Sequence, residues 1–407
     1  MSGWPVVKLS DVATLSSGGT PSKATSAFWD GDIPWVSPKD MKSNHIVDAE
    51  DRITRAAVAE SADRIVGSNS VLAVVRSGIL AHTFPVATLA GEVSFNQDIK
   101  AITPKNGSLL PAFLFWMLKG QEAQILRIGV KKGATVHSLE NGFLEALLFP
   151  LPPLDEQRRI AGLLDRAAEI RRRANAARAK ARAIIPALFL DTFGDPATNA
   201  KRWPVAELGT HADVQGGVQV SAKRSTLPVE LPYLRVANVM RGRLDLSEIK
   251  MIRVTASEAR RTTLSRGDIL LVEGHGNPNE IGRAAVWDGS IEECTHQNHL
   301  IRVRLHLSSL TTEYVETFLN SNSGRRTLIQ NGKTNSGLNT ISTRNVKDVR
   351  ILLPPKTLQL NFAEQVQRLE SLARHLDTAA AKADAIAAGL SAEVFGSPAS
   401  PTRRDAA

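Results

Sequence analysis

"LLFPLPPLDEQRRI" (residues 147–160) reads as a strand running through a double proline into a helix, and "VRILLPPKTLQLNF" (residues 349–362) says nearly the same 202 residues later. Leu151-Pro152-Pro153 becomes Leu353-Pro354-Pro355, Gln157 becomes Gln359, and Ile160 becomes Phe362 at that one offset. Proline suits the first turn of a helix, where its missing N–H would be unpaired anyway. A strand–turn–helix junction built twice means an internal repeat.

With the junction as anchor, more of the repeat emerges. "WPVVKL" at Trp4 returns as "WPVAEL" at Trp203, and "IPWVSPKDM" at Ile33 as "LPYLRVANVM" at Leu231. "VLAVVRSG" at Val71 matches "ILLVEGHG" at Ile269, and "NQDIKAI" at Asn96 sits near "QNHLIRV" at Gln297. The matches are chemical more often than identical, so two diverged domains of one fold are expected, over residues 1–150 and 198–352. Short β-like runs bounded by Gly, Pro, Asn and Ser, with helical stretches at 110–128 and 311–330, give an α+β class: two tandem pseudo-symmetric α/β domains.

The stretches after each Leu-Pro-Pro, 151–197 and 353–397, predict long helices, followed by a flexible tail at 398–407. In the first, Ile160, Leu163, Ala167, Ile170, Ala174, Ala177, Ala181, Ile184 and Leu188 follow alternating steps of three and four. In the second, Phe362, Gln365, Leu369, Leu372, Leu376, Ala379, Ala383, Ile386 and Leu390 do the same. That is a heptad seam. Both helices end alike, at "TFGDP" (Thr192) and "VFGSP" (Val394), where glycine suits the C-cap and proline blocks continuation. Equal start, stop and phase predict an antiparallel coiled-coil pair with a domain at either end, and Pro186 is a candidate kink.

Of 407 residues, 43% are apolar, enough for real cores, and 5% are aromatic, too few for a stacking platform for single strands. The net charge of +9 favours an acidic partner, nucleic acid first. Cys294 is the single cysteine, which excludes an internal disulfide and a multi-cysteine zinc site and fits a reducing cytoplasm. No signal peptide and no membrane-spanning run is read, so the expected location is cytoplasmic. Two basic, non-identical domains at a fixed separation suit duplex DNA, whose sites one turn apart, about 34 Å, lie on one face. The target should then be bipartite and asymmetric.

"LSSGGTPSK…FWDGDIPWVSPKDM", "FNQDIKAI", "FPLPPLDEQRRIAGLLD" and the doubled layout together resemble the specificity subunit of type I restriction–modification systems, over essentially the whole chain. The resemblance implies two target-recognition domains, each gripping one half of a split DNA site. It implies helices that set the spacer and dock two methyltransferase subunits, with restriction–translocase subunits joining outside. It implies no catalytic centre in this chain, and S-adenosylmethionine, ATP and magnesium only on the partner subunits. The second domain departs from the pattern, with "VQGGVQVSAKR" in place of "SSGGTPSK".

Motifs for chemistry are weak. "NGKT" at Asn331 lacks the glycine five residues before Gly332 that a phosphate loop needs. "GNPNEIG" at Gly276 breaks the Asn-Pro-Pro-aromatic pattern of an amino-methyltransferase at Asn279. Asp98-Ile99-Lys100 is a common triplet that nucleases use for metal, and "NHLI" has lost both charges. His275, His296 and His299 lack ligand partners at the right spacing.

Candidate DNA contacts are loop donors able to reach phosphates or base edges. In the first domain they are Ser17, Gly18, Gly19, Thr20, Lys23, Ser37, Lys39, Arg76, Lys131, Lys132 and Thr135. In the second they are Lys223, Arg224, Arg235, Asn238, Arg241, His275, Asn277, Lys333, Asn335 and Ser336. Trp35 and Tyr233 are assigned to the core. "RRRANAARAKAR" from Arg171 is either a solvated face with ion pairs or a basic stripe facing DNA or an acidic partner. Two rival readings stand beside the first: a stand-alone restriction endonuclease or methyltransferase, and a coiled-coil interaction protein that binds no DNA.

Overall fold

The junction that announces the repeat is fastened by one side chain in each copy. Gln157 is fully buried; its Oε1 accepts from the Leu110 amide at 2.9 Å, and its Nε2 donates to the carbonyls of Ser108 and Pro152, both at 2.8 Å. Gln359, also fully buried, accepts from Thr311 at 2.9 Å and donates to Ser309 and Pro354 at 3.0 and 2.9 Å. Each glutamine ties the first turn of a long helix to the start of a domain helix, Pro111–Gly120 or Thr312–Asn320. A buried amide with all these bonds made is stable; truncating it strands three backbone groups at about 1–3 kcal/mol each. That explains why the motif recurs as Leu-Pro-Pro-x-x-x-Gln.

The computed structural model describes residues 3–60, 64–306, 309–330 and 340–396. It divides into two compact units, residues 1–174 with 378–407 and residues 175–377. Each unit joins one sheet domain to a stretch of both long helices.

In the first unit five strands stand in the order Ala13–Ser17, Ile99–Pro104, Val71–Val74, Val86–Leu89, His45–Ile46. The second unit keeps the first four as Ala212–Gly216, Leu300–Leu305, Ile269–Val272 and Ala284–Val286. Beside each lies a three-stranded sheet, Asp51–Ile53, Trp29–Val36, Ser94–Phe95 in one and Lys250–Val254, Val229–Leu234, Thr295–His296 in the other. In both, the last pair is parallel and the rest antiparallel. Antiparallel sheets with segregated helices make the class α+β. The stretches expected to be helical at 110–128 and 311–330 are helical, each broken after its first ten residues or so by a second short helix.

The glycine pair after the first sheet strand is also repeated for one reason. A Cβ on Gly18 would sit 1.8 Å from the Phe95 carbonyl oxygen, and one on Gly217 would sit 2.1 Å from that of His296. The next amides, of Gly19 and Val218, donate to those same carbonyls at 3.0 and 2.8 Å. Only glycine admits such close backbone contact.

The two long helices are Leu154–Phe193 and Lys356–Phe395, 40 residues each, about 60 Å at 1.5 Å per residue. In the second unit Arg178 pairs with Asp377, while Phe189 and Phe193 pack on Phe362 with ring centroids 5.9 and 5.3 Å apart. In the first, Arg171 pairs with Asp384 at 3.4 Å, and Phe395 packs on Phe113 at 5.4 Å. One number rises as the other falls, so the pair is antiparallel. The first helix continues through Pro186, which is exposed. It stops at Gly194, whose φ of +82° is the left-handed cap.

The seam itself is shifted from the expected one. Ile160 is fully buried and Leu188 packs on the second unit's core, but between them Leu164, Arg171, Arg178 and Ile185 occupy the positions expected for Leu163, Ile170, Ala177 and Ile184. Ile170 and Ile184 are 48% and 49% exposed. In the second helix Phe362, Leu369, Leu376 and Leu390 hold their places, whereas Val366, Ala373, Ala380 and Ala387 replace Gln365, Leu372, Ala379 and Ile386. Leu372 and Ile386 are 50% and 62% exposed. A heptad continues equally well by three or by four residues. Counting apolar residues favoured three; the structure takes four, burying Leu164 with Val366, Ala373 and Ala380 and leaving Arg171 and Arg178 to pair with aspartates at the margin of the seam.

Candidate nucleic-acid interface

In the first domain the strand Val71–Val74 is followed by Arg76–Ser77, and the hairpin Val130–Lys131 with His137–Leu139 pairs along it, Ser138 opposite Arg76. This edge borders a cavity of about 560 Å³ lined by Pro38, Arg76, Ser77, Asp98, Val136 and Ser138. A second cavity of about 280 Å³ shares Arg76 and Ser138 and reaches Ser17, Gln97, Lys100 and Asn141. Three of the expected contacts thus meet here. Ser17 and Arg76 line the cavities, and the Thr20 hydroxyl bonds to Gln97 beside them. Thr135 lies next to Val136, and its carbonyl would be 3.2 Å from a Cβ on Gly78. Lys23, Lys131 and Lys132 are exposed.

Other expected contacts are spent on the fold. Gly18 and Gly19 buttress the Phe95 strand as described. Ser37 is 7% exposed, and its amide and hydroxyl both donate to Asp40, at 2.9 and 2.8 Å. Lys39 is held between Glu50 and Asp51 at 3.2 and 3.0 Å, which raises its pKa. Trp35 is buried with its Nε1 donating to the Gly19 carbonyl, so it is core, as is Tyr233.

The second domain sorts the same way. Arg224 makes a two-pronged pair with Glu258 at 2.8 and 3.0 Å, driving that carboxyl down to about 2. Arg235 pairs with Glu248, and Asn238, 3% exposed, accepts from the Arg235 amide while donating to the carbonyls of Asp245 and Glu248. Asn238 does in this domain what Asp40 does in the first. Arg241 donates to the Asn279 carbonyl at 2.9 Å, as Arg325 does at 2.7 Å, so the two arginines clamp the loop at 277–280. Burial lowers the Arg241 pKa. These four side chains brace loops rather than project from them. Lys223 and Asn277 are exposed, and His275 accepts from the Asn277 amide at 3.0 Å. Lys333, Asn335 and Ser336, with the "NGKT" motif, lie outside the described residues.

Residues not picked as DNA contacts from the sequence carry much of the lining: Gln97, Asp98, Lys100, Ser138 and Asn141. The triplet weighed for metal is spent on ion pairs, Asp98 with Arg76 at 2.6 Å and Lys100 with Glu145 at 3.0 Å. Among the described residues no three His, Cys, Asp or Glu side chains could hold a metal ion. His296 is fully buried, and burial with the nearby Arg302 pushes its imidazole down to about 4, so it stays neutral. Burial pushes the Cys294 thiol up to about 12, which makes it an inert core residue. Much of the arginine run is internal to the helices: Arg172 and Arg173 pair with Glu169, Arg171 with Asp384, Arg178 with Asp377. No helix among the described residues is long and apolar enough to cross a membrane.

Residues 1–176 match the family model described as the type I restriction modification DNA specificity domain. The specificity subunit of the type I restriction enzyme EcoR124I/EcoR124II of Escherichia coli is 37% identical over 159 residues, 39% of each chain. The MjaIX specificity subunit of Methanocaldococcus jannaschii is 28% identical over 59% of each chain. The match therefore spans well under two thirds of these two relatives. The EcoKI specificity subunit of E. coli K12 is 27% identical over 92% of this chain and 83% of its own. Among solved structures, the S subunit from M. genitalium superimposes with a TM-score of 0.61 at 13% identity, covering 98% of this chain and 97% of its own. The similarity at that identity is one of fold.

Proposed function

We propose that the chain is a type I specificity subunit that chooses the DNA sequence for a restriction–modification complex, a reading supported by a type I DNA specificity domain over residues 1–176 and by relatives among the specificity subunits across nearly its whole length. Its target is a split duplex site, one half for each domain. It has no catalytic centre of its own. Methylation and cleavage fall to two methyltransferase subunits and to restriction–translocase subunits, which bring S-adenosylmethionine, ATP and magnesium. The complex works in the cytoplasm.

The observation that carries this reading is the pattern of difference between the two halves. The framework repeats side chain for side chain, Gln157 with Gln359 and Gly18 with Gly217, while the edge bordering the cavities does not. A scaffold kept twice with two different readers is what an asymmetric bipartite target needs. The excess positive charge supplies the sequence-independent hold on phosphates.

The test is to co-express the chain with its methyltransferase and map modified bases in the host DNA at single-base resolution. One split motif at constant spacing, with two different halves and one modified base in each, is the expected result. A stable complex that modifies no defined motif would overturn the assignment.

A further inference from the structure

We propose that a pair of polar side chains on the exposed edge of each domain is its principal base reader: Arg76 positioned by Asp98 for a guanine in one half-site, and Glu273 positioned by His299 for a base offering an exocyclic amino group, cytosine foremost, in the other. The proposal rests on the DNA-specificity reading and deepens it.

The two pairs share one position, that of Asp98 and His299, and their partners on the facing strand are one residue apart, Glu273 being the counterpart of Val75 and Gly274 that of Arg76. In the first domain the Val75 amide donates to the Asp98 carbonyl at 2.8 Å, and the Val75 carbonyl accepts from Leu139 at 2.8 Å. In the second, the Glu273 amide donates to the His299 carbonyl at 3.0 Å, and the Glu273 carbonyl accepts from Ile341 at 2.8 Å. The backbone bonding is kept, yet the side chains on it are replaced: Val75 by Glu273, Arg76 by Gly274 and Asp98 by His299. Asp98 meets Arg76 in one domain, and its counterpart His299 meets Glu273, one residue earlier on the facing strand, in the other.

Stability does not account for these pairs. The side chains of Arg76 and His299 are 55% and 61% exposed, those of Asp98 and Glu273 21% and 31%, and pairs with an exposed member contribute on the order of 1 kcal/mol. Bonds that the fold does require are kept in kind between the halves, as at Gln157 and Gln359. A site whose backbone is kept while its polar side chains are replaced is free of the fold's demands and subject to another.

The geometry fits base reading. Only the Arg76 Nε is engaged, by Asp98 at 2.6 Å, and among the described residues its two terminal amino groups have no hydrogen-bond partner. Asp98 fixes the guanidinium plane, and Arg76 lines both cavities. A held guanidinium fits O6 and N7 of guanine, while a carboxylate accepts from the amino group of cytosine. Asp98 and His299 are positioning residues in this scheme.

The experiment selects duplexes from a randomised library with the full chain in its methyltransferase complex, then sequences the bound pool. Arg76→Ala should relax one guanine of one half-site by about 5- to 150-fold, leaving the other half as selective as before. Asp98→Asn should relax the same base less. Glu273→Gln should relax one position of the opposite half only. The untouched half reports that each variant is folded. If Arg76→Ala and Glu273→Gln leave both half-sites unchanged, or blur both halves equally, the inference fails while the DNA-specificity reading stands. If the unmodified complex selects no motif, both fail.

Discussion

Glu316 shows how a single residue can set a pH dependence. It projects from the helix Thr312–Asn320 into a cleft of about 760 Å³ that it shares with Glu370. Burial first, and the neighbouring carboxylate second, push its carboxyl from 4.5 up to about 8; burial raises Glu370 as well. A folded pKa above the unfolded one means that stability is full below about pH 4.5 and is lost progressively as pH rises toward 8. The melting temperature of the chain should therefore fall between pH 5 and 8.5, and Glu316→Gln should flatten that fall. An equal slope in the variant would show that another group titrates. The sequence gives no sign of this residue, because nothing local to "TTEYVETF" marks one glutamate as facing a second 54 positions away.

At the scale of elements, the helix seam buries Leu164 and sets Arg171 and Arg178 at its margin. Their aspartate partners lie on the other helix, so one helix read alone makes the arginines look like solvated surface and Ile170 and Ile184 like core. The start, end and direction of both helices were legible, since prolines, a glycine cap and equal length act locally; the phase was not, since it depends on pairs made across the seam. Two substitutions check this. Ile170→Ser should change stability by less than about 0.5 kcal/mol, as surface changes do, whereas Leu164→Ala, at a position 1% exposed, should cost about 2–5 kcal/mol. Urea unfolding of the two variants measures both, and the reverse order would restore the expected seam. The candidate contacts divide along the same line. Exposed Arg76, Ser17 and Asn277 could be picked from loops, but Arg224, Arg235 and Asn238 have the same composition and turn inward to acids or carbonyls far along the chain.

The whole molecule is a repeat with few identities. What could be read was whatever backbone geometry forces in both copies: the Leu-Pro-Pro-x-x-x-Gln junctions, the glycine pairs, the central apolar strands. What escaped were pairings between distant strands, such as Trp29–Val36 with Ser94–Phe95, whose register only the folded chain supplies. The sheet order common to both halves likewise comes from packing rather than from any one segment.

One consequence concerns where the chain could be cut. The first unit is not contiguous: residues 1–174 are completed by the end of the second long helix, where Phe395 covers Phe113. A gene interrupted after residue 197 would lose that cover yet still encode its counterpart, since Phe193 stands 202 positions before Phe395 at the end of an equivalent helix. Two such fragments can each lend the other the missing piece. The truncated product should then sediment as a homodimer and, paired with the methyltransferase, modify a palindrome made of one half-site and its mirror. A monomeric fragment would show that the helix ends are not interchangeable. If the proposed function holds, one stop codon after residue 197 would convert a split asymmetric target into a symmetric one.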